Sequence, residues 1–530
     1  MPDTAPTRPL GAQISHMLKS RGVDTIFGIP GVHNQEMYRG IEEAGIRHVL
    51  ARHEQGAGFM ADGYARASGK PGIAYVITGP GLCNAMTAMG QAYSDSVPIL
   101  VLSSCLDDTA ATRGQLHQML DQQAAGATVS DWSYTASTAA AAYTLIDRAL
   151  TEFQTKRART KHIQVPIAAL EGEAAPAPQT PANVKPVRHV LPEDIAGQVM
   201  AANRPLFILG GGAVRASEEA RRALTTLKAA SFPTDAGRGI ISVTSDPLHY
   251  GGYLGRPETA KVAASADLVV VVGSELSETD LWRATLENTC QMIRVDIDPE
   301  ALGQEVGSIA VQMDANDFFT ALNAAIEGHE ANTSWDAGEV TKARKRWRIE
   351  ANGERPGIAR ICDALREVMP EDTMYYSDMT QFAYAGKEFW DMERPGHWHH
   401  PYGFGTLGYA LPAGIGGAAA RPGLPTVVIA GDYGFQYTVQ ELGTAVELGQ
   451  PLPILLWDNG KLKEIEDSMV AAQIAPNSVI AHNPDFVALA LAYGAKAEAP
   501  KSLGDLQKAV TAAFRADGPT LIYMTGDMAD

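Results

Sequence analysis

Two oxygen-bearing side chains, Asp432 and Asn459, each follow an apolar run that predicts a buried strand. Asp432 follows TVVIA within Gly431-Asp432-Tyr433-Gly434, and Asn459 comes 27 residues after Asp432, behind the run PILLW. Because open α/β sheets bind ligands where parallel strands end, we expect both side chains at one sheet edge. Carboxylate and amide oxygens suit Mg²⁺, and glycines at a helix N-terminus let the backbone approach phosphates. The stretch predicts a magnesium–diphosphate site; the alternative is an ordinary strand–helix–strand unit.

This arrangement resembles the magnesium–diphosphate motif of thiamine diphosphate enzymes. The shared residues are, in order, GD-G-F, EL-TA, LP and the final N. Tyr433 stands where that family usually has Gly, and Asp458 where many members have Asn, but neither change removes a predicted ligand side chain. The resemblance covers nearly the whole chain. It implies thiamine diphosphate and Mg²⁺ as cofactors, with Asp432, Asn459 and Lys461 as the metal-binding residues.

The second chemical group is Glu54, in the segment HEQGA between a predicted strand and a predicted helix. Taken alone, an acid in the first turn of a helix complements the helix dipole. Together with the motif above, HEQGA resembles the segment of thiamine diphosphate enzymes whose glutamate bonds the cofactor's aminopyrimidine ring. The resemblance implies that Glu54 stabilises the imino tautomer that deprotonates the thiazolium carbon. The C2 carbanion then attacks the substrate carbonyl, and the ring accepts electrons, as an enamine, when carbon dioxide leaves.

Other segments resemble the parts of these enzymes that surround the cofactor. The TGPG turn followed by Asn84 resembles the turn around the pyrimidine, and YGFGTLG resembles the segment beneath the cofactor. The resemblance implies that the Gly405 carbonyl accepts from the aminopyrimidine and that Leu407 forces a bent cofactor, which is compatible with simple core packing. The residues expected to bind the cofactor are Glu54, Pro30, Gly31, Thr78, Gly79, Asn84, Met379, Thr380, Gln381, Gly405, Leu407, Gly431, Asp432, Tyr433, Gly434 and Asn459.

Three side chains are candidates for proton transfer near the reacting carbon: His33, His117 and Glu464. His33 follows Val32, whose side chain is inert, whereas some decarboxylases have an acid or hydroxyl at that position and acetolactate synthases have Gly. For each histidine, a structural role is as good an interpretation as a catalytic one. Glu464 begins a predicted helix. Three interpretations of Glu464 are open. It relays a proton, it pairs with a cationic substrate tail through bidentate hydrogen bonds, or it is a solvated acid without a catalytic role.

The elements that must position these residues alternate along the chain. Amphipathic helical patterns alternate with short apolar strands, which predicts mostly parallel sheets with helices on both faces. The predicted fold class is α/β, with three doubly wound parallel-sheet domains. These are a pyrimidine-binding domain at 1–172, a middle Rossmann-like domain at 188–330 and a diphosphate- and Mg²⁺-binding domain at 357–530. An Ala/Pro-rich linker at 173–187 and a charged connector with a surface helix at 331–356 join them.

Two details of these elements are further predictions. Four apolar residues at helical spacing predict one helix between the two strands of the magnesium motif: Val439, Leu442, Ala445 and Val446. In the middle domain, Gly210-Gly211-Gly212 follows a strand, but Arg215 takes the last glycine place of G-x-G-x-x-G. A structural turn is therefore expected there in preference to a flavin or nucleotide site.

Composition and charge limit the classes of molecule that the chain is expected to bind. The 530-residue chain has a formal net charge of −18 without a basic block, which argues against nucleic acid and anionic membranes. Its four cysteines lack the spacing of a zinc site or a disulfide framework. With no signal pattern and no bilayer-spanning apolar run, a cytoplasmic enzyme is expected. Because Glu54 and Asp432 lie on different domains, the resemblance implies a homodimer or homotetramer with active sites between subunits.

Three segments, at 27–40, 47–72 and 76–101, look most like the 2-ketoarginine (5-guanidino-2-oxopentanoate) decarboxylases of the acetolactate synthase-like group. The expected reaction is the non-oxidative decarboxylation of a 2-oxo acid, with 5-guanidino-2-oxopentanoate as the candidate. After Asn459, the residues Lys461, Leu462 and Lys463 depart from the usual NN-x-GYGEI pattern. This departure leaves the identity of the 2-oxo acid open.

Two alternatives to a decarboxylase remain. The first is an acetolactate synthase-like carboligase, which joins an acyl carbanion to a second carbonyl compound. The second is a non-catalytic binding protein that keeps the fold. The intact residues Glu54, Asp432 and Asn459 argue against the second alternative.

Overall fold

The computed structural model of the chain describes residues 6–108, 113–179, 184, 189–304, 306–480 and 482–529. It contains three parallel sheets of six, five and six strands in chain order, and a short antiparallel pair. The predicted α/β class with parallel sheets is therefore confirmed. None of the helices within these ranges is both long and apolar enough to span a bilayer.

The first unit is built around a sheet with the order β3-β2-β4-β5-β7-β6. Its strands are β1 (Arg8–Pro9), β2 (Thr25–Gly28), β3 (Arg47–Leu50), β4 (Gly72–Val76), β5 (Ile99–Cys105), β6 (Trp132–Thr135), β7 (Lys161–Pro166) and β8 (Glu173–Ala174). Its helices are α1 (Leu10–Ser20), α2 (Gln35–Glu43), α3 (Glu54–Ser68), α4 (Pro80–Ser94), α5 (Gln122–Ala127), α6 (Ala139–Thr155) and α7 (Ile167–Glu171). Strands β1 and β8 form the antiparallel pair.

Strand β4 shows why this sheet is buried on both faces. Its side chains alternate between two cores: Ile73 and Tyr75 pack in one, and Ala74 and Val76 in the other. Successive side chains of a strand point to opposite faces, so an uninterrupted apolar strand needs helices on both sides. The apolar runs of the sequence therefore predict central parallel strands correctly.

The middle unit has a sheet with the order β10-β9-β11-β12-β13. Its strands are β9 (Pro205–Leu209), β10 (Ala230–Pro233), β11 (Leu268–Val272), β12 (Gln291–Asp296) and β13 (Ile309–Gln312). Its helices are α8 (Glu193–Ala201), α9 (Ser217–Leu227), α10 (Thr259–Ser265), α11 (Glu278–Leu281), α12 (Pro299–Leu302) and α13 (Ala315–Ala325). A Cβ on Gly210 would lie 2.1 Å from the Gly273 carbonyl oxygen, so close backbone packing explains this glycine without a nucleotide.

The third unit has a sheet with the order β15-β14-β16-β17-β19-β18 and is reached through helix α14 (Ala337–Glu354). Its strands are β14 (Met374–Ser377), β15 (Trp398–His399), β16 (Thr426–Gly431), β17 (Leu452–Trp457), β18 (Lys496–Glu498) and β19 (Pro519–Met524). Its helices are α15 (Ile358–Arg366), α16 (Gln381–Phe389), α17 (Ala410–Ala420), α18 (Asp432–Tyr437), α19 (Leu442–Leu448), α20 (Lys463–Ala471), α21 (Phe486–Ala492) and α22 (Leu503–Ala513).

The helix predicted from the apolar spacing is confirmed as α19, which follows directly on a 3₁₀ turn at Val439–Glu441, but a second short helix, α18, also lies between β16 and β17. The break falls at Thr438, whose backbone leaves the helical region and whose buried hydroxyl donates to the Gly408 carbonyl at 2.8 Å. A threonine that bonds a distant carbonyl competes with helix continuation, and hydrophobic spacing carries no sign of it.

Both predicted joining segments contain packed structure that the sequence did not lead us to expect. The linker begins as strand β8, since Glu173 and Ala174 pair with β1; positions 180–183 and 185–187 of the predicted linker lie outside the described residues. Helix α14, expected at the surface, fully buries Trp347. The ring of Trp347 lies 5.7 Å from that of Tyr250, which attaches α14 to the middle unit.

Helices α3 and α17 bind the first and third units together at very short range. A Cβ on Gly63 would lie 1.9 Å from the Ala413 carbonyl oxygen, and one on Gly416 would lie 1.9 Å from the Met60 carbonyl oxygen. Tyr376 adds a bond across the contact, because its hydroxyl donates to the Gly63 carbonyl at 2.9 Å. The small residues of ALPAGIGGAAA therefore let a helix of one unit lie directly on a helix of the other.

We predict that Gly416→Ala destabilises the protein by about 1–3 kcal/mol, because the added methyl group overlaps a backbone carbonyl that cannot move freely. Gly353→Ala is the matched control, since Gly353 lies in α14 with no atom within 4 Å of an added Cβ. The control should stabilise by about 0.5–1 kcal/mol through helix propensity. Thermal unfolding midpoints of both variants are the measurement. Equal midpoints would show that the α3–α17 contact is not tight.

Candidate functional site

The carboxylate of Glu54 lies at the start of α3, behind the end of β3. It is nearly buried, and Asn84 Nδ2 of α4 donates to its Oε2 at 2.9 Å. The helix begins here because His53 is an extended N-cap whose Nδ1 accepts from Gln55 N at 3.2 Å. The predicted residues Glu54 and Asn84 are thus in direct contact.

The Thr78-Gly79 turn lies beside them and is held by two residues that sequence reasoning missed. The hydroxyl of Thr78 donates to Ser104 Oγ at 2.8 Å, and Gly79 N donates to Gln122 Oε1 at 2.8 Å. Gly79 has a φ of +68°, and a Cβ there would lie 2.3 Å from the His117 carbonyl oxygen. Only glycine fits both the conformation and the contact. No sequence motif marked Ser104 or Gln122 as supports.

The Pro30-Gly31 turn follows β2 at the same sheet edge. Gly31 N donates to Asn34 Oδ1 at 2.8 Å, and a Cβ on Gly31 would lie 2.1 Å from Ile77 Cδ1. Ile77 directly precedes the Thr78-Gly79 turn. The two glycine turns are therefore packed against each other, as expected for segments at the carboxyl ends of parallel strands.

His33 and His117, 84 positions apart in the sequence, form an edge-to-face pair with ring centroids 5.0 Å apart. The Nδ1 atoms of both rings are buried and have no hydrogen-bond partner among the described residues. Burial, and then the charge of His117, lowers the pKa of His33. The structure therefore brings the two predicted histidines together, each with a buried ring nitrogen that no described residue bonds.

Asp432 and Asn459 follow the neighbouring parallel strands β16 and β17, as predicted. Gly431 pairs with Trp457 in the register of this ladder, so both strands end at the same level. Asn459 Nδ2 donates to Gln381 Oε1 at 3.2 Å, which brings the start of α16 to this edge.

Asn483, which no sequence motif indicated, bridges two carboxylates at the same edge. Its Nδ2 donates to Asp432 Oδ2 at 2.7 Å and to Asp458 Oδ1 at 2.9 Å. The Tyr523 hydroxyl donates to the other oxygen of Asp458 at 2.8 Å. Burial, opposed by the Asn483 hydrogen bond and reinforced by the charge of Asp458, raises the pKa of Asp432 to about 6. A cation at Asp432 would relieve this repulsion.

A buried carboxylate, Asp378, holds the glycine turns of the third unit in place. Its Oδ1 accepts from Met379 N at 2.9 Å and its Oδ2 from Gly408 N at 2.9 Å. A Cβ on Gly434 would lie 2.5 Å from Asp378 Oδ2. Burial raises the pKa of Asp378 to about 7, so the turns are fixed at an electrostatic cost. The sequence did carry one signal for Asp378: it directly precedes Met379, in a segment that the resemblance places beside the diphosphate.

The remaining predicted residues of this unit surround the same turns. A Cβ on Gly431 would lie 2.8 Å from Thr380 Oγ1, and one on Gly405 would lie 3.4 Å from Met379 Cε. Leu407 and Tyr433 are half-buried. Thus the structure brings together the residues that the sequence assigns to the diphosphate and to the segment beneath the cofactor.

Lys461 and Glu464, beyond Asn459, have ionic partners within the chain. Lys461 Nζ lies 2.9 Å from Glu466 Oε2, and a cationic ammonium has no lone pair for a metal. Only the carbonyl oxygen of Lys461 is available as a ligand. Glu464 accepts from Arg355, which follows α14, a pairing that the sequence gave no reason to expect.

Glu441 connects the two groups of residues. This fully buried side chain of the third unit accepts from His53 N at 2.9 Å and from Arg52 N at 3.0 Å. A Cβ on Gly56 would lie 2.2 Å from Glu441 Oε1. Burial raises the pKa of Glu441 to about 7. Glu441 is the E of the EL pair in the magnesium motif, but no role followed from the sequence.

Within the described ranges, no hydrogen bond or ion pair joins Glu54 itself to Asp432 or Asn459. The site residues therefore form two groups, each at the edge of a sheet. One offers a buried carboxylate and unpartnered histidine nitrogens. The other offers hard oxygen donors and glycine turns suited to a metal-bound diphosphate.

Comparison with known families identifies these two edges. Residues 8–125 match the N-terminal TPP binding domain of thiamine pyrophosphate enzymes, 193–322 match the central domain and 378–524 match the C-terminal TPP binding domain. The chain belongs to this family. It is a thiamine diphosphate-dependent enzyme, and the resemblance found in its motifs is confirmed.

Individual relatives cover almost the entire chain. The probable 2-ketoarginine decarboxylase AruI of Pseudomonas aeruginosa is 41% identical over 98% of this chain and 94% of its own length. The acetolactate synthase isozyme 2 large subunit of Escherichia coli is 27% identical over 98% of this chain and 95% of its own. A probable acetolactate synthase large subunit of Methanocaldococcus jannaschii is 28% identical, over 97% and 91% respectively.

We predict that Glu441→Ala destabilises the protein by about 2–4 kcal/mol, because it leaves a cavity and the buried His53 N–H unpaired. Glu441→Gln is the matched control, since an amide keeps the size and one acceptor oxygen. Thermal unfolding of both variants is the measurement. A Glu441→Ala midpoint equal to wild type would contradict the supporting role.

The control also has a pH signature. The pKa of Glu441 is raised from 4.5 to about 7, so the stability that its protonated form contributes is complete below 4.5 and lost as pH rises through 7. Glu441→Gln lacks this loss. Its stability relative to wild type should therefore increase from about pH 4.5 to about pH 7 and change little at higher pH.

Proposed function

We propose that the chain catalyses the thiamine diphosphate- and Mg²⁺-dependent, non-oxidative decarboxylation of a 2-oxo acid, with 5-guanidino-2-oxopentanoate as the candidate substrate. The observation that carries the proposal is the set of two sheet edges, with Glu54 on Asn84 at one and Asp432 beside Asn459 at the other. The name of the relative AruI supports the substrate class.

The residues present fit a magnesium-bound diphosphate. In the part of the chain that the structure describes, no three His, Cys, Asp or Glu side chains form a metal-binding group. Mg²⁺ commonly needs only one or two carboxylates, because phosphate oxygens and water complete its octahedron. Asp432, Asn459 and the Lys461 carbonyl would hold the metal. The diphosphate would lie against the turns that contain Gly431, Tyr433, Gly434, Met379, Thr380 and Gln381.

The first edge fits the other end of the cofactor. Bound thiamine diphosphate would supply a nucleophilic thiazolium carbon for addition to the carbonyl of a 2-oxo acid, and a ring that accepts electrons when carbon dioxide leaves. Glu54 would hold and exchange a proton at the aminopyrimidine ring, and Asn84 fixes the carboxylate by donating to it at 2.9 Å. Pro30, Gly31, Thr78 and Gly79 would line the ring, with Gly405 and Leu407 contributed by the third unit.

The pair of His33 and His117 supports decarboxylation over carboligation. An aldehyde product requires a proton at the carbon that has lost carbon dioxide, and general acids serve this step. The two imidazole ring centroids lie 5.0 Å apart, and each ring has a buried nitrogen without a partner among the residues that the structure describes. Glu464 at the other edge is a third candidate for moving a proton.

A carboligase is the second candidate function. Several relatives named acetolactate synthases are 26–28% identical over nearly the whole chain. Such an enzyme would join the acyl group to a second carbonyl compound in place of a proton. The same residues would hold the cofactor, so only the product distinguishes the two reactions.

We further propose that the active site forms between subunits of a homodimer or homotetramer. Within the described ranges, no hydrogen bond or ion pair joins Glu54 to Asp432 or Asn459, which supports this arrangement, as do exposed apolar side chains near each edge. These are Val32, Leu116 and Leu120 in the first unit and Ile465, Val470 and Ile474 in the third. Light scattering would give the oligomeric state. The three-domain division and a cytoplasmic location stay predictions.

The experiment that tests the function is a carbon dioxide-release screen of 2-oxo acids with thiamine diphosphate and Mg²⁺ present. We expect one aldehyde per carbon dioxide and the highest kcat/KM for 5-guanidino-2-oxopentanoate. Acyloin as the main product would support the carboligase. Absence of carbon dioxide release from every acid would contradict the proposal.

We predict that Glu54→Gln retains the fold and most of the cofactor affinity but loses activity by orders of magnitude, because the amide keeps the size without the basic carboxylate. Carbon dioxide release measures activity, and calorimetry measures cofactor binding. Asn84→Asp would add a second carboxylate at this contact and serves as a companion variant. Wild-type turnover by Glu54→Gln would remove Glu54 from the mechanism.

We predict that Asp432→Ala abolishes the retention of Mg²⁺ and thiamine diphosphate together, because the diphosphate is held largely through the ion. Asn459→Ala should weaken binding less, since a neutral ligand contributes less electrostatic attraction. Calorimetric titration of each variant with cofactor and metal is the measurement. Undiminished binding by Asp432→Ala would be incompatible with the proposed metal site.

A further inference from the structure

The carboxylate of Glu464 already holds a guanidinium group, that of Arg355 at the end of α14. Arg355 Nε and Nη2 donate to Glu464 Oε1 at 3.3 Å each, and Nη2 also approaches Oε2 at 3.4 Å. Charge-assisted hydrogen bonds of this kind are typically about 2.7–2.9 Å long. Arg355 is 20% exposed and Glu464 39% exposed, so the pair is also open to water. Its geometry is therefore that of a loosely held, exchangeable partner.

Arg355 has two other carboxylates within reach. Its Nη1 lies 3.9 Å from both Glu354 Oε2 and Glu388 Oε1. Those two acids are also bound by Arg256, which donates to Glu388 at 2.6 Å and in bidentate fashion to Glu354 at 3.0 and 2.9 Å. The five side chains comprise three carboxylates and two guanidinium groups. One more guanidinium would balance their charges.

Two routes connect this ion pair to the proposed active site. Glu464 comes five residues after Asn459, in the first turn of α20. Helix α16 supplies the second route, since its first residue, Gln381, accepts from Asn459 and its residue Glu388 faces Arg355. Tyr384 lies between Gln381 and Glu388 on α16. Burial and then the charge of Glu464 raise its pKa, so Glu464 lies near this helix. The pair therefore lies at the end of the metal edge.

We infer that Glu464 is the subsite for the cationic tail of the substrate, and that Arg355 is a specificity-determining residue that occupies this carboxylate until a substrate guanidinium replaces it. The inference rests on the proposed function. When a substrate guanidinium takes its place on Glu464, Arg355 pairs with Glu354 and Glu388 instead. The ion pair that Arg355 loses is therefore replaced by another. A 2-oxo acid with an uncharged tail offers no group for Glu464 and leaves Arg355 in place.

The main test compares kcat/KM for 5-guanidino-2-oxopentanoate with that for 2-oxohexanoate, whose tail is uncharged. In Arg355→Ala the guanidino substrate no longer competes with an internal guanidinium, so the ratio should rise about fivefold or more. Arg355→Met, which keeps the length of the side chain, should behave alike. Arg346→Ala is the matched control, because Arg346 lies on the same helix and pairs with Glu350 at 3.5 Å. Its ratio should equal that of wild type.

A binding experiment tests the subsite without catalysis. Methylguanidinium should bind cofactor-free Arg355→Ala in calorimetry, and the binding should disappear when Glu464→Gln is added. Wild-type ratios in both Arg355 variants, or absence of methylguanidinium binding by correctly folded Arg355→Ala, would overturn the inference. If no 2-oxo acid releases carbon dioxide, the proposed function fails, and calorimetry still decides whether Glu464 binds a guanidinium.

Discussion

The close packing of α3 on α17 fixes the first and third units, and with them the two groups of site residues, relative to each other. Glu54 is the first residue of α3, and α17 follows the loop that contains Gly405 and Leu407. At Gly63 and Gly416 each helix meets a carbonyl oxygen of the other at a distance that excludes any Cβ. A shift of one helix would therefore move its glycine turn or its carboxylate. Protein interiors are too densely packed to absorb such a shift without rearrangement.

Two buried carboxylates, those of Asp378 and Glu441, hold the backbone of loops near this helix contact. Asp378 accepts from the backbone of two turns of the third unit, and Glu441 accepts from the residues directly before Glu54. Burial raises the pKa of both groups to about 7, which means that each ionised form is costly. Both interactions fix glycine-rich backbone beside residues that we propose hold the cofactor.

The sequence predicted best what one strand or one turn determines. Asp432 and Asn459 lie where expected, because parallel strands end at one edge whatever surrounds them. The sequence did not predict contacts between residues that are far apart along the chain. Thr438 separates α18 from the predicted helix by bonding the Gly408 carbonyl, and Glu464 meets Arg355 across 109 positions of sequence. Hydrophobic spacing reports which face of a segment is buried, but not which distant polar group it meets.

The most direct test of the account is the exchange rate of the C2 proton of thiamine diphosphate with deuterium when the cofactor is bound to this protein with Mg²⁺. A quenched-exchange NMR measurement requires no knowledge of the substrate. The proposed arrangement, with Glu54 at one end of the cofactor and Asp432 at the other, predicts exchange that is orders of magnitude faster than in free cofactor. An exchange rate equal to that of free thiamine diphosphate would contradict the account.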